Sequence, residues 1–291
     1  MHKKVFNSLA AVLLLSIFFI CSAVNICRAG DVNHCLASHC VSVFKNGAID
    51  WTCGTIWATG KAAPEGRAAI STESVPGAAR ADANRKLLDI LKHIKINADL
   101  TIGDYSSKND IILAGIEKTA RDAVILKQYY TSALAVEITI ETSMYGGFLQ
   151  LVLPENIRQI PKIILEDQKK NIRHEPENEY TGLIIDARGL GLKPVLAPVI
   201  VSEQGHAVYS SAFISREFAV QKGICKYICD MDKARSDLRT GSNPLVFKGL
   251  RKEGQPGAAI VISMSDYRLL ETITERHRFL KECRVIIVLD G

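Results

Sequence analysis

The stretch AARADANRKLLDILKHIK, residues 78–95, decides the reading of the fold. Ala79, Ala83, Leu87, Leu91 and Ile94 recur at the spacing that places side chains on one face of an α-helix, and Leu88 and Ile90 widen the stripe. Arg80, Asp82, Arg85, Lys86 and Lys92 lie largely off it. A helix with one apolar face must cover something, and the small alanines at its start allow a sheet to come close. A partner stands downstream in LAVEITIET, residues 134–142. There Leu134, Val136, Ile138 and Ile140 alternate with Ala135, Glu137, Thr139 and Glu141, which predicts a half-buried antiparallel strand.

Working outward, Ile49, Trp51, Thr55, Ile56 and Trp57 predict strand over 48–63, and Pro64, Gly66, Pro76 and Gly77 make 64–77 a loop. Ile112, Ile116 and Ala120 share one face of a second helix over Asp110–Ala123. Residues 48–153 therefore read as a helix-on-sheet module. Pro154, Pro161, Pro176 and the polar run Glu166 to Glu179 mark 154–179 as a linker, with some helix over 163–172. A second module spans 180–291. It carries strands at 182–187, at 195–201 (an edge strand, because Pro198 cannot donate to a ladder) and at 207–210. Residues 223–243 read as irregular. A strand at 259–263, a helix at 266–279 capped by Ser265, and a strand at 284–289 then suggest a β-α-β unit with a buried sheet. The predicted fold class is α+β: an alanine-rich helix on a small antiparallel sheet, followed by a smaller α/β module.

The amino terminus reads as an export segment. Lys3 and Lys4 precede an apolar run centred on Ala10 to Ile20, and small residues follow at Ser22, Ala23 and Ala29. Cleavage after Ala23 or after Ala29 fits this pattern. The run through Val24 also approaches the roughly 20 residues that span a bilayer, so a retained anchor is the alternative. Ile20 and Ile26 are bulky residues in front of Cys21 and Cys27, which disfavours lipidation. The expected location is thus the periplasm or the periphery of the outer membrane, with membrane attachment not favoured.

Losing residues 1–29 removes Lys3, Lys4 and Arg28 and no acid, so 36 bases fall by 3 to 33 against 31 acids. Near-neutral charge gives no electrostatic reason to expect a nucleic-acid partner. Of 8 Cys, that cleavage leaves Cys35, Cys40, Cys53, Cys225, Cys229 and Cys283, an even set in an exported chain. Short-range spacing pairs Cys35 with Cys40 and Cys225 with Cys229. Residues 30–47 read as a polar Cys/His-bearing leader. Cys53 and Cys283 sit in strand-like runs, as small buried hydrophobes would.

No chemistry-bearing motif survives inspection. LIIDARGLG, residues 183–191, resembles the start of a dinucleotide loop, but no helix opens after it and the third glycine is missing. The expectation there is a strand and a turn, with Asp186 and Arg188 paired and standing as a candidate ligand site between the modules. His34, Cys35, His39 and Cys40 are metal-competent side chains, yet their spacing is not that of a zinc site, so a disulfide is expected and no metal. Cys225-x-x-x-Cys229 is not the C-x-x-C of redox catalysis. Glu137 and Glu141 read as a solvated strand face. The chain lacks G-x-S-x-G, H-E-x-x-H and a phosphate loop. No cofactor and no catalytic residue is expected.

The order strand ending Trp57-Ala58-Thr59-Gly60-Lys61-Ala62, helix from Ala78 to Leu88, second helix, long alternating strand resembles the Lpp-twenty-like envelope lipoprotein family, which includes flagellar assembly proteins P and T. The resemblance covers about residues 48–153. It implies a helix packed on a small antiparallel sheet and a non-catalytic role at the outer envelope, in some relatives around the flagellum. It transfers no functional residue. The expected partners are envelope proteins or further copies of the chain. The rival expectation is a secreted ligand binder or enzyme with its site between the modules.

Overall fold

The computed structural model describes residues 38–64, 74–132, 134–153, 179–254, 259–273 and 276–291. The first sheet runs β1 (Val41–Phe44), β2 (Gly47–Asp50), β3 (Thr55–Ala62), β5 (Val136–Ser143), β4 (Val124–Tyr130), all antiparallel. Helix α1 (Ser74–His93) lies against β3 and β5. Its Ala79, Ala83, Leu87 and Leu91 are fully buried, as the periodicity requires. Closeness is bought at Gly60: a Cβ there would come 2.2 Å from the Ala83 nitrogen and 2.3 Å from the Ala79 oxygen. Helix α2 (Ile102–Ser106) starts at a capping box between Thr101 and Asp104. Helix α3 (Asp110–Asp122) buries Ile112, Ile116 and Ala120 beside α1.

Four differences from expectation concern this part. Helix α1 takes in Ser74 to Gly77, the end of the loop expected over 64–77, because a proline in the first turn of a helix forfeits no hydrogen bond. Within the leader expected over 30–47, the described residues from Ser38 form a hairpin, β1 pairing antiparallel with β2 across the Lys45–Asn46 turn. The predicted strand over 48–63 is two strands with a turn at 51–54, where Gly54 holds φ +71. Strand β4 and helix α4 (Gly147–Val152) carry no clear sequence period.

Downstream, β10 (Pro244–Lys248), β6 (Gly182–Asp186), β13 (Val285–Val288) and β9 (Lys226–Ile228) form a wholly parallel sheet. A second sheet orders β11 (Arg251–Glu253), β12 (Ala259–Ile262), β7 (Val199–Ser202), β8 (Ala207–Tyr209). Helices α5 (Arg216–Lys222), α6 (Met231–Arg235), α7 (Met264–Thr272) and α8 (Arg276–Lys281) complete the described part.

The β-α-β expectation is corrected here: β12 and β13 belong to different sheets. Continuous apolar runs report burial on both faces but not which sheet receives the strand. The single helix expected over 266–279 is α7 and α8, and the cap is Ser263, whose Oγ accepts from the Asp266 amide at 3.0 Å, rather than Ser265. Strand β7 is not an edge; it lies between β12 and β8, and Pro198 precedes the ladder, where a missing N–H costs nothing. Ser38–Gly291 forms one compact unit, with buried side chains continuous from Ile49 and Leu87 to Ile185 and Phe279. Of the expected linker, all but Glu179 lies outside the described residues.

Candidate functional site

The turn after β2 is built by one carboxylate. Asp50 is buried; its Oδ1 accepts from the amides of Thr52 (2.8 Å) and Cys53 (3.0 Å), and its Oδ2 meets His39 Nδ1 at 2.6 Å. Thr52 Oγ1 donates to the Tyr227 carbonyl at 2.7 Å and accepts from the Cys40 amide at 2.9 Å. Cys40 is disulfide-bonded to Cys229, just past β9. The expected pairs Cys35–Cys40 and Cys225–Cys229 are therefore corrected. Cys225 and Cys229 bracket an extended strand, and four residues at roughly 3.3 Å each separate them by about 13 Å, beyond disulfide reach. Cys225 is a buried thiol, and Cys35 lies outside the described residues.

His39, Asp50 and Cys53 bring potential metal-ligand atoms within 4.8 Å of one another. Their bonding reads as structural: the His39 nitrogen and both Asp50 oxygens are engaged by protein hydrogen bonds. Of the metal-competent side chains His34, Cys35, His39 and Cys40, Cys40 is consumed by its disulfide, and His34 and Cys35 lie outside the described residues.

Beyond this turn lies a cleft of about 630 Å³. Thr52, Cys53 and Tyr145 form one wall; Lys222, Lys226, Arg239 and Arg284 line the rest, with Leu238 at the rim. Tyr145 is wedged in place. A Cβ on Gly54 would fall 2.4 Å from its ring, and one on Gly223 would fall 3.3 Å away; both glycines have positive φ. Burial pushes the Tyr145 hydroxyl pKa up.

Arg239 braces the cationic part of the lining. Its Nε donates to Cys283 O at 2.8 Å, Nη1 to Lys222 O at 2.6 Å and Nη2 to Gly223 O at 2.6 Å. Two of those carbonyls terminate α5, where a cation answers the helix dipole. Lys226 pairs with Asp237 at 2.5 Å, and Arg284 with Glu282 at 2.7 Å. Among the described residues no carboxylate forms an ion pair with Lys222 or Arg239. Lys222 instead lies over the Phe218 ring, 5.3 Å from its centroid. Burial, reinforced by the neighbouring Arg239 charge, lowers the Lys222 ammonium pKa.

Asp186 and Arg188 do pair, with Nε to Oδ1 at 2.8 Å and Nη2 to Oδ2 at 2.9 Å, and Lys248 Nζ is 3.2 Å from Oδ2. The Arg188 guanidinium leads the contacts that hold the Asp186 carboxyl far below its usual range. They stand at the carboxyl end of the parallel sheet, where open α/β sheets bind ligands. Here the binding capacity is used internally. Asp186 is saturated by two cations and the Arg188 amide, and the Gly189 amide donates to Asp290 Oδ1 at 2.7 Å. The nearby void by Leu192, Val195 and Tyr227 measures about 30 Å³, room for one water. The cleft draws its lining from both expected modules, but it does not include Asp186 or Arg188, the residues expected to form a site there. Its four cations come from a helix end, a strand, a loop and a strand edge, and no local motif could have announced them. Glu137 pairs across strands with Lys61 at 2.7 Å, as a solvated face would.

Residues 182–291 match the model of a family described as Treponema pallidum Tp0624, second domain. The match begins on the first residue of β6 and takes in both downstream sheets, which is less than half of the chain. No curated protein matches the chain.

Proposed function

We propose that this chain is an exported, non-catalytic protein of the cell envelope that works by association, and that it assembles with further copies of itself through strand β4. One observation carries the reading. All seven residues of β4, VILKQYY, are exposed, and the strand is the last in its sheet. Val124 is 64% exposed and Tyr130 67%, with Ile125, Leu126 and Tyr129 above half. Among the described residues no strand pairs with its outer edge.

An edge of this kind offers unpaired N–H and C=O groups together with apolar side chains, and proteins usually blunt it with charge, proline or shortness. Strand β4 holds one charge, Lys127, and one irregularity between Ile125 and Lys127. A second copy can add its own β4 antiparallel, satisfying both ladders about a two-fold axis. The export segment expected over residues 1–29 supports an envelope location, and the Cys40–Cys229 disulfide is of the kind that persists in oxidising compartments. The resemblance of residues 48–153 to the Lpp-twenty-like family supports a non-catalytic envelope role, including one near the flagellum.

Light scattering coupled to size-exclusion chromatography tests the assembly. The chain without its export segment is expected to run as a dimer or larger, and Ile125→Lys with Tyr129→Lys to make it a monomer. A monomer at 100 μM before any substitution overturns the reading.

A further inference from the structure

The cleft beside the β2–β3 turn is electrostatically unfinished. Lys226 and Arg284 have their own carboxylates, whereas Lys222 and Arg239 have none among the described residues. Arg239 is offset only by three carbonyl dipoles, which use three of its five N–H donors. Lys222 and Arg239 thus share a partly desolvated wall with no ion pair of their own among the described residues, and at Lys222 burial and the Arg239 charge outweigh the attraction of Glu282. The lowered pKa of Lys222 has that origin, burial first and the Arg239 charge second. An anion in the cleft would offset the repulsion between the two cations.

The wall is also rigid. The α5 terminus is held by Arg239, and the Gly146 amide donates to the Val220 carbonyl at 2.8 Å, tying α5 to the segment that carries Tyr145. Preorganised cations lose little freedom when a ligand binds. The space, about 630 Å³, falls within the roughly 300–1,000 Å³ of small-ligand sites and equals the liquid volume of about twenty waters. That is far more than a bare oxyanion fills. The Tyr145 ring and the Leu238 side chain provide apolar surface for the remainder of a ligand.

We propose that this cleft binds a small organic anion carrying at least two negative charges, held at its charged end by Lys222, Arg239 and Arg284 and along its body by Tyr145 and Leu238. Phosphoryl and carboxylate groups offer the same multivalent oxyanion chemistry, and two probes separate them. The site is independent of β4 and does not require the chain to associate.

Isothermal titration of the full disulfide-bonded chain with pyrophosphate, and separately with citrate, tests the proposal. Saturable one-site binding of either probe is expected, weakened at least about tenfold by Lys222→Gln and by Arg284→Gln, since each removes a charge-assisted contact. Binding of pyrophosphate alone assigns a phosphoryl ligand, and of citrate alone a polycarboxylate. Leu238 is 96% exposed, so Leu238→Glu leaves folding intact while placing a negative charge at the rim. It is expected to weaken binding similarly even where a lysine or arginine variant fails to fold. Lys248→Gln, outside the cleft, is expected to bind as the unmodified chain does. The proposal is overturned if neither probe binds at millimolar concentration, if Leu238→Glu binds unchanged, or if Lys248→Gln loses as much affinity as Lys222→Gln.

Discussion

Cys40 and Cys229 are joined across 189 residues, their Cα atoms 5.4 Å apart. The bond is one of several fastenings at the same place. The Cys229 amide donates to Ser38 O at 2.9 Å, Thr52 Oγ1 to Tyr227 O at 2.7 Å, and Trp51 meets the Tyr227 ring edge-on at 5.9 Å. The first hairpin of the antiparallel sheet is thereby locked to the edge strand of the parallel one, and this lock sets one wall of the cleft.

Closing so long a loop restricts the unfolded chain strongly; the chain-entropy relation gives about 5 kcal/mol as its upper contribution. The double variant Cys40→Ser, Cys229→Ser is expected to lose about 2–5 kcal/mol in urea unfolding. Non-reducing peptide mapping should recover a Cys40–Cys229 crosslink. A Cys225–Cys229 crosslinked peptide in its place would contradict the arrangement.

Gly60 is where β3 meets the backbone of α1. Any side chain at this position meets backbone atoms of α1 at 2.2 and 2.3 Å, and backbone cannot swing aside as a flexible side chain can. Gly60→Ala is expected to cost about 3 kcal/mol or more by forcing helix and sheet apart. Gly77, which lies in α1 and whose added Cβ meets nothing within 4 Å, serves as the comparison, and Gly77→Ala should leave the urea midpoint unchanged or raise it, by up to about 1 kcal/mol in stability.

The contrast between these two glycines shows how far the sequence was readable. The alanine stripe of α1 and the alternation of β5 are periodic, so pattern alone placed them, and the small residues facing Gly60 announced a close contact. Nothing periodic marks β4, whose residues face solvent throughout, so its existence depends on pairing with β5. The disulfide was illegible for another reason: sequence spacing favours near neighbours, while strand β9 holds Cys225 and Cys229 apart and the tertiary fold brings up Cys40. The Asp186–Arg188 pair was legible because a two-residue separation at a strand end allows it. The cleft was not, because its cations converge only once the α5 terminus, the 237–240 turn and β13 are assembled.

Burial raises the thiol of Cys225 to about 12 and that of Cys283 to about 11, from an ordinary 9.0. Both therefore stay protonated in the folded chain at mildly alkaline pH, and a protonated, buried thiol is a poor nucleophile. Iodoacetamide at pH 8 is expected to leave both unlabelled in the native protein and to label both in urea. The linkage has one sign: folded-state values above the unfolded one mean that the folded state binds more protons, so stability declines as pH rises from about 9 towards 11 and 12. Cys225→Ala should make that decline shallower. An unchanged slope, or rapid native labelling of Cys225, would refute the buried placement.

The acid side has its own marker in Asp82. Burial opposes its charge, but hydrogen bonds from the Lys86 side chain, the Lys61 amide and the Arg85 side chain outweigh that and lower it from 3.8 to about 2. The Lys61 amide bond, 3.0 Å long, ties β3 to α1 beside the Gly60 contact. A depressed folded-state value means the contribution is present above about pH 4 and disappears as pH falls towards 2. Asp82→Asn is expected to cost about 1 kcal/mol at neutral pH, because a neutral amide accepts these bonds less strongly. The variant and the unmodified chain should then converge in stability as the pH approaches 2. Guanidinium unfolding curves taken between pH 7 and pH 2 would read this directly. A gap that stays constant across that range would show that the Asp82 charge does not fasten the strand to the helix.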